Sequence, residues 1–591
     1  MEKQFVQEGS QFIIHTQGPM CTTTQELLNS PLFQEVLLAF IQQQIQEKSP
    51  LLKKIPVDLS NQTGQWTLLS LLQYLATESI EDIVRRNPMI KEIVQNMDRV
   101  ALWTFVEKLY DFWRGFDRFI VCHSENSLDG HDRRPYRTFN AIIENLTHII
   151  RAAYRDICEN ITGDHPRIYR QVSAGCDAGL IAVPKEWPIT HDSCSILNDI
   201  AFIRQVLIYP PLIIDPPMNK RTGCFERVTE NPLAGMILER EEWLCYPAKV
   251  GPLTIFVYFH QSFMALGCTL ANLFDIASDV DIQAGPDAIY LFGAPVSHLA
   301  RFGQSPILFF DDDRNGLLIG AVPGENRFGY FGYLKKMILT LHNIAIMKKG
   351  RMPFHGAMIR MVLQEGAGAN ILIIGDTAAG KSETLEALRM LAGASLQEAS
   401  IIADDMGSLE IAQNGRIIGY GTEIGAFIRL DDLQQGYAFR QIDRAILMSP
   451  QKINARVVLP VTTLVEVLKG YPVDILLYAN NYEEVDDSHP VIESCSTLEK
   501  ALAVFKEGKV MAKGTTTTTG LNQSYFGNIF GPPQYRTLHD ELAQKTFQAA
   551  FQSGTYVGQL RTRLAIPGFE MKGPEASAKA LLILIRERHR G

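Results

Sequence analysis

The stretch GDTAAGKSETLEAL, residues 375–388, follows the apolar run NILII and fits the pattern G-x-x-x-x-G-K-[ST]. Its fixed positions are Gly375, Gly380, Lys381 and Ser382. An apolar strand runs into the loop, and the leucines that follow it lie at helical spacing. This order of strand, loop and helix is the context that a phosphate-binding loop requires, so we prefer it to an ordinary glycine-rich turn that happens to carry Lys and Ser.

A loop of this kind binds phosphate through its backbone. Glycines let the chain curl so that successive N–H groups point at phosphate oxygens, and the following helix adds the positive end of its dipole. Lys381 is expected to reach the outer phosphates of ATP or another nucleoside triphosphate, and the Ser382 hydroxyl to bind Mg²⁺. The predicted cofactor-binding residues are Gly375, Asp376, Thr377, Ala378, Ala379, Gly380, Lys381, Ser382 and Glu383.

Length and composition indicate a globular protein of several domains. The 591 residues are too many for one ordinary core, and the content of 46% hydrophobic and 20% charged residues is typical of soluble globular proteins. The net charge of -9 argues against a nucleic-acid partner.

Cysteine usage and the absence of targeting signals favour a cytoplasmic protein. The nine cysteines are scattered singly, with no C-x-x-C pair, as in reduced proteins. The N-terminus lacks the basic-then-apolar order of a signal peptide, and no uninterrupted apolar run approaches about twenty residues. We therefore expect no membrane partner.

The chain changes character twice. Its first part is mainly helical in pattern, for example SPLFQEVLLAFIQQQIQEK, with Ser30 as N-cap and Pro31 at the first helical position. A proline-rich stretch at residues 209–223 ends this pattern. Strands and helices alternate in the later part around the phosphate loop, which indicates an α/β lobe. The predicted domains are a mainly helical region at 1–205, an α/β lobe at 206–349 and a nucleotide-binding lobe at 350–591.

Two adjacent acids follow the apolar run SIIA. A phosphoryl-transfer site needs a metal ion and carboxylates to hold it, because positioning and charge neutralisation lower the barrier. Asp404 and Asp405 stand at a strand end, where carboxylates face the ligand crevice. One could hold the metal, and the other could orient water or accept a proton. A solvated turn is the alternative, since Asp-Asp-x-Gly is ordinary turn chemistry; the upstream phosphate loop makes us favour a site.

Three further segments carry polar residues that, taken singly, have ordinary explanations. His355 in GRMPFHGAM would more often be a core or surface histidine, and Lys335 and Lys336 in GYFGYLKKM would lie on the solvated face of a helix. Two neighbouring ammonium groups, however, depress each other's pKa, and a neutral lysine nitrogen can bind a transition metal or shuttle a proton. Arg456 could clamp a carboxylate or a γ-phosphate through its planar fork.

In this order the segments resemble ATP-dependent phosphoenolpyruvate carboxykinase. YFGYLKKM is similar to the family's Tyr-Gly-Gly-x-x-Lys-Lys segment, FHGAM to its metal-binding histidine segment, and ADDMG to its Asp-Asp segment. GDTAAGKS is similar to its kinase loop, and NARVVLPV to its Asn-x-Arg-Val segment. The resemblance covers residues 330–531, roughly a third of the chain.

The resemblance implies a role for each matched residue. Lys336, His355 and Asp405 would bind Mn²⁺, with Asp404 as the partner of Asp405. Ser382 would bind Mg²⁺ in place of the family's usual Thr. The residues implied on the substrate side are Tyr330, Lys335 and Arg456.

Other parts of the family pattern match less closely. GTEIGAF is similar to the Glu-Gly-Gly segment and points to Glu423. The arginine that holds oxaloacetate would be Arg221 or Arg227, and the pattern does not choose between them. GTTTTTGLNQSYFGNIFG has the length and ending of the adenine-contacting loop, but Thr517 stands where the family has arginine. Base specificity therefore stays open.

The implied fold is α/β, a carboxykinase-like two-lobed P-loop fold with an additional mainly helical N-terminal region. The implied reaction is the nucleotide- and metal-dependent interconversion of oxaloacetate and phosphoenolpyruvate plus CO₂. The expected partners are these small molecules and the nucleotide, and a homo-oligomer is left open.

Two alternatives stand beside this hypothesis. GDTAAGKSE followed by IIADD also resembles HPr kinase, which suggests a kinase for a small-molecule or protein hydroxyl; that family lacks the upstream lysine pair and the downstream Arg-Val-x-x-Pro. A non-catalytic nucleotide sensor is the third hypothesis, and the presence of both Lys336 and His355 argues against it.

Overall fold

The chain, represented by a computed structural model, divides into two compact units. Unit 1 is Met1–Lys185 with Ala201–Leu212, and unit 2 is Glu186–Ile200 with Ile213–Gly591. The structure describes residues 5–16, 21–86, 91, 98–123, 134–185, 192–221, 223, 225–303, 307–430, 442–512 and 520–590. Helices and several mixed sheets make it a mixed α/β protein.

Unit 1 contains a sheet that the sequence analysis did not predict, in addition to the expected helices. Its described strands pair in the order Phe5–Glu8, Gln11–Thr16, Asp117–His123, Ala178–Val183 and Phe202–Ile208. The two inner pairings are parallel and the two outer ones antiparallel. Its described α-helices are Thr24–Asn29, Pro31–Gln46, Gln62–Leu75, Ile80–Arg86, Arg99–Arg114 and Arg134–Thr162.

The predicted start of the helix Pro31–Gln46 is confirmed. The Ser30 side chain accepts a hydrogen bond from the Phe33 backbone N–H, and Pro31 occupies the first helical position. One apolar face of this helix joins the core of unit 1, which also includes Leu72, Phe105 and Ile143.

Unit 1 also holds an apolar cavity of about 90 Å³. Leucine, isoleucine, valine and aromatic side chains line it, among them Phe33 and Trp113. The lining rings of Tyr110 and Tyr154 are stacked, with centroids 4.1 Å apart, and the Tyr154 hydroxyl donates to Glu107 Oε1 at 2.5 Å. Its surface is almost wholly apolar, so it offers water few hydrogen-bond partners.

The first sheet of unit 2 is mixed. Its described strands pair in the order Trp243–Val250, Leu253–His260, Ala288–Ala294, Leu317–Pro323, Leu308–Asp312 and Glu226–Val228, and Asp275–Ile276 pairs with the first. The three central strands are parallel to one another. All three are almost wholly buried, which matches their continuous apolar sequences.

The second sheet of unit 2 carries the phosphate loop. Its described order is Tyr471–Pro472, Ile417–Gly421, Met406–Ile411, Met352–Leu363, Gly368–Ile374, Ile475–Asn480, Tyr556–Arg561 and Ile492–Ser494, and Leu396–Ala403 pairs with Met352–Leu363. The strands that begin at Gly368, Ile475 and Tyr556 are parallel. Their carboxyl ends therefore meet at one edge, where ligands bind in α/β sheets.

The remaining elements of unit 2 surround these sheets. Gly425–Arg429, Arg456–Pro460 and Ile446–Met448 form a small antiparallel sheet, and Lys509–Ala512 with Gly520–Gln523 form a hairpin. A further short strand is Leu212–Ile214. The helices are Met264–Thr269, Asp279–Gln283, Val296–Leu299, Phe331–Lys348, Lys381–Ala392, Leu464–Lys469, Leu498–Glu507, Arg536–Gln552 and Lys572–Arg590.

The helix Phe331–Lys348 is buried on nearly every side. A helix that is apolar all round belongs in a core, and any charged residue in it must be paired. Lys335 is buried on this helix, whereas Lys336 is half-buried. Among the described residues, no helix combines the length and hydropathy needed to span a bilayer.

Candidate active site

The phosphate loop, Gly375–Ser382, connects the strand Gly368–Ile374 with the helix Lys381–Ala392. Ala378 and Gly380 have left-handed backbone, with φ of 63° and 90°. Such residues curl the chain so that N–H groups can converge on an anion. A Cβ on Gly380 would lie 2.7 Å from the Thr562 side chain, so the position requires glycine.

Long-range hydrogen bonds hold the carbonyl groups of this loop. Asn481 Nδ2 donates to the Ala378 carbonyl at 2.9 Å, and Thr562 Oγ1 to the Ala379 carbonyl at 2.7 Å. Both side chains are fully buried. Because N–H and C=O point in opposite directions in a trans peptide, fixing the carbonyls on one side leaves the amides directed to the other.

Lys381 is buried and donates to the carbonyls of Gly375 and Asp376 at 2.8 and 2.9 Å. Burial lowers its pKa, against the opposing effect of the nearby carboxylates of Asp405 and Asp376. Its ammonium group therefore has two neutral acceptors here, and phosphate oxygens would be stronger ones.

The other predicted residues of the loop have different exposures. Thr377 and Ser382 are exposed, and Asp376, Ala378 and Glu383 are half-buried. The exposed hydroxyl of Ser382 stands in the first turn of the helix, where a cation bound to phosphates would meet it.

His355 and Asp405 come together as predicted. His355 lies on the strand Met352–Leu363, and the strands on either side of Asp405 both pair with that strand. His355 Nε2 is 2.9 Å from Asp405 Oδ1. At the other side of the ring, Nδ1 bonds to the Gly527 carbonyl, which can only accept, so Nδ1 carries a proton. Nε2 therefore faces the carboxylate across a gap that a proton or a cation must occupy.

Lys336 lies beside these two residues. Its Nζ is 4.7 Å from the centre of the Phe530 ring, and that ring stacks on His355 with centroids 5.9 Å apart. Burial and the positive charge of Arg221 lower the pKa of Lys336 to about 8. The solvated-face interpretation is therefore wrong for this residue. We call Lys336, His355 and Asp405 the cation pocket.

The pKa of Lys335 shifts in the opposite direction to that of Lys336. Its Nζ lies 2.7 Å from Asp405 Oδ2 and 3.0 Å from Glu423 Oε1, and its side chain is 2% exposed. Burial disfavours the ammonium form, but the two carboxylates outweigh this effect and raise the pKa. The expectation that the two lysines depress each other's pKa is therefore wrong for Lys335. Its charge balances the acids around it.

The pKa values of the three acids of the site shift in different directions. Burial tends to raise the pKa of Asp405, but Lys335 and His355 hold it well below its ordinary value. Burial raises the pKa of Glu423 to about 7, with Lys335 opposing and Asp405 adding to the rise. Asp404 is half-buried, and its desolvation together with the charge of Asp405 raises its pKa to about 6. Asp404 and Asp405 are both half-buried, so neither is a fully solvated turn residue.

Arginine and aromatic groups form the other side of the site. Arg456 lies with its guanidinium 5.3 Å from the centre of the Phe427 ring, and Tyr330 packs on the same ring at 6.0 Å. The Nε of Arg456 has no hydrogen-bond partner among the described residues. Arg429 is the cross-strand partner of Arg456.

Arg221 and Arg227 were the two alternatives for the arginine that holds oxaloacetate, and they have different surroundings in the structure. Arg221 lies near enough to Lys336 and Tyr330 for its charge to lower the pKa of both, its Nη1 donates to the Gly223 carbonyl at 2.6 Å, and its guanidinium is 5.3 Å from the centre of the Phe225 ring. Arg227 lies 3.4 Å from Asp311 Oδ2 and stacks over Tyr535 at 4.9 Å. Thr517 lies outside the described residues.

Sequence reasoning missed the residues that shape the site without doing chemistry. Examples are Asn481, Thr562, Phe427 and Phe530, each of which meets the site through a contact distant in sequence. A signal was present for Phe530 alone, since it stands in the predicted loop ending SYFGNIFG.

Within the described part of the chain, no group of three or more His, Cys, Asp or Glu side chains could hold a metal ion. The cation pocket has two such residues, and its third member is a lysine. No protein-family model matches the chain, and no curated protein sequence matches it significantly.

Proposed function

We propose that this protein is a phosphoenolpyruvate carboxykinase-like enzyme, which interconverts oxaloacetate and phosphoenolpyruvate plus CO₂ with a nucleoside triphosphate. The proposal includes a carboxykinase-like two-lobed fold for unit 2. The observation that carries it is the His355–Asp405 pair beside Lys336, in the same unit as a phosphate loop. Lys335 bonds to Asp405, Arg456 shares the Phe427 ring with Lys335, and the charge of Arg221 acts on Lys336.

The cation pocket fits a divalent ion with mixed nitrogen and oxygen ligands, such as Mn²⁺. The Gly527 carbonyl fixes the His355 tautomer and leaves Nε2 toward Asp405, a common arrangement for metal-binding histidine. Because the pKa of Lys336 is lowered to about 8, part of its side chain is neutral near neutral pH and can bind a metal ion. When bound, Mn²⁺ would supply positive charge to stabilise the enolate left by loss of CO₂.

The opposite side of the site suits a dicarboxylate. Arg221 and Arg456 have planar forks that match carboxylate oxygens, and Lys335 remains positively charged because Asp405 and Glu423 stabilise its ammonium form. Tyr330 and Phe427 bring apolar surface to the same place, which keeps water away from the reacting carbons. Substrate carboxylates would therefore be held by Arg221, Arg456 and Lys335.

Phosphoryl transfer would proceed at the loop. As the C–C bond to the departing CO₂ breaks, its electron pair becomes the enolate, whose oxygen then attacks the γ-phosphorus. The bond from that phosphorus to the bridging oxygen breaks and leaves the nucleoside diphosphate. Lys381 would exchange its loop carbonyls for phosphate oxygens and neutralise charge, while Ser382 would ligate Mg²⁺ on the phosphates.

A second candidate is a kinase for a hydroxyl group, and one observation favours it. Asp404 has a pKa of about 6, which suits a base that accepts a proton from an attacking hydroxyl near neutral pH. An Asp404→Asn variant would then lose phosphoryl transfer to the hydroxyl acceptor. In the carboxykinase reaction no hydroxyl proton has to be removed, so the same variant would retain more activity.

A coupled assay tests the proposal. The full chain is incubated with phosphoenolpyruvate, bicarbonate, Mn²⁺ and ADP, and oxaloacetate is followed through malate dehydrogenase. We expect activity that is lost in Lys336→Ala and in His355→Ala. Lys349→Ala, an exposed lysine just beyond the same helix, is the matched control and should keep activity.

If the protein binds nucleotide but forms no oxaloacetate with ADP, GDP, IDP or pyrophosphate, the carboxykinase proposal is overturned. Radiolabelled phosphate transferred from ATP to a hydroxyl compound would then favour the kinase. ATP binding without transfer to any acceptor would favour the sensor.

A further inference from the structure

One short segment, Ser524–Gly531, contacts both halves of the proposed site; we call it the bridging segment. At its start, Ser524 Oγ donates to Asp376 Oδ2 of the phosphate loop at 2.6 Å. Three residues later, Gly527 lies against the backbone of Gly375 so closely that a Cβ on Gly527 would be 2.5 Å from the Gly375 carbonyl carbon.

The same segment supports the cation pocket. The carbonyl of Gly527 accepts the hydrogen bond from His355 Nδ1. The Phe530 ring stacks on the His355 imidazole, and Lys336 Nζ lies 4.7 Å from its centre. Gly527 therefore touches the phosphate loop with its Cα and the cation pocket with its carbonyl oxygen.

The bridging segment is held in an unusual conformation. Phe526, Gly527 and Asn528 have φ of 46°, 70° and 61°, so three consecutive residues are left-handed. Non-glycine residues keep such a conformation only where their surroundings fix it. Here Phe526 and Ile529 are fully buried, and the Phe530 carbonyl accepts from Asn343 Nδ2 at 2.8 Å. The segment is thus stiff enough to carry a displacement from one end to the other.

Phosphate binding would act where the bridging segment begins. Lys381 now donates to the carbonyls of Gly375 and Asp376, the two residues that the segment contacts. Phosphate oxygens compete for that ammonium group, and the freed carbonyls let the loop backbone move against Gly527 and Ser524. Such a movement reaches His355 through one peptide group.

We propose that the bridging segment couples the two ligand sites, so that a nucleotide on the phosphate loop and a divalent cation in the pocket strengthen each other's binding. Phe530 is the positioning residue for Lys336 and His355. The inference rests on the proposed function in taking a nucleotide and a divalent cation as the two ligands. Coupling of this kind is reciprocal, and its usual range is about 5- to 150-fold.

The experiment measures Mn²⁺ binding to the full chain by electron paramagnetic resonance of free Mn²⁺. It is repeated with saturating tetraamminecobalt(III)-ATP, an exchange-inert and diamagnetic complex, so that Mn²⁺ cannot replace the metal on the nucleotide. The affinity of the cobalt complex is measured separately with and without Mn²⁺. We expect each ligand to tighten the other about fivefold or more, by the same factor.

Two variants locate the coupling in the bridging segment. Ser524→Ala removes the hydrogen bond to Asp376 and should reduce the coupling factor toward one, while each ligand alone binds within about threefold of wild type. Phe530→Leu should weaken Mn²⁺ binding even without nucleotide, reduce the coupling factor toward one, and leave binding of the cobalt complex alone unchanged. Ser395→Ala, which removes a hydroxyl bonded to the Ala392 carbonyl, is the control and should keep the full coupling.

The outcomes separate this inference from the proposed function. If wild type binds both ligands with no mutual effect, or if Ser524→Ala and Phe530→Leu both keep the full coupling, the bridging segment does not couple the sites. Direct attraction between the charges of the two ligands would give that second result. If wild type binds neither ligand, the proposed function fails and the coupling fails with it.

Discussion

Acid should loosen the helix Phe331–Lys348, because His342 is buried there as a neutral group. The imidazole is fully buried, and its Nε2 has no hydrogen-bond partner among the described residues. Burial lowers its pKa from 6.5 to about 4, and Asn343 offsets this only in part. The unfolded helix therefore binds more protons than the folded one between these values, and stability falls as pH falls.

The size of the effect follows from the two pKa values. At about pH 4.5 an unfolded His342 is almost wholly protonated, whereas the folded one is about a quarter protonated. Between about pH 7.5 and pH 4.5 this difference removes about 2.5 kcal/mol, or about 70-fold in the equilibrium for local opening. The loss concerns the helix that carries Lys335 and Lys336.

Hydrogen exchange with mass spectrometry measures this opening directly. Peptides from the helix are compared at the two pH values after correction for intrinsic exchange. In wild type their protection should fall about 70-fold more than in His342→Gln, which cannot take up the proton. His489→Gln changes an exposed histidine bonded to Asp486 and should leave the wild-type response intact. An equal fall in wild type and His342→Gln would refute the reasoning.

Three further predictions concern the site. Gly380→Ala should weaken binding of a fluorescent ATP analogue by more than about tenfold, because φ is 90° and the new Cβ meets the side chain of Thr562; an unchanged affinity would contradict this. Asn481→Ala should destabilise unit 2 by about 3 kcal/mol in urea unfolding, since the side chain makes three hydrogen bonds of about 1 kcal/mol each. Arg221→Ala should lower kcat/KM for oxaloacetate by about 10- to 150-fold, whereas Arg227→Ala should leave it near wild type; the reverse order would exclude Arg221 as the carboxylate ligand.

Local chemistry made the phosphate loop predictable from the sequence. Its glycines, lysine and serine lie close together in the chain. The strand before it and the helix after it can be recognised from the spacing of their apolar residues. Short apolar runs such as QFIIHT, by contrast, fit either a buried helix turn or a strand, and the sheet of unit 1 was missed for that reason.

The electrostatics of the site could not be predicted from neighbours in sequence. The pKa of both adjacent lysines was expected to fall. Lys335 instead pairs with Asp405 and Glu423, whereas Lys336 contacts an aromatic ring and is subject to the positive charge of Arg221. Partners that lie far away along the chain decide each pKa. The same holds for Arg221 and Arg227, which differ only in what folds beside them.

The apolar cavity of unit 1 has a consequence for volume. Unfolding removes the part of this cavity that water does not enter, and its volume of about 90 Å³ per molecule sets an upper limit of about 50 mL/mol on the resulting contraction. Hydrostatic pressure favours the smaller state, so compression should unfold the helices around Tyr110 and Tyr154 without heat or denaturant. A larger side chain at Ala153 would fill the cavity, reduce the volume change on unfolding and make unit 1 less compressible.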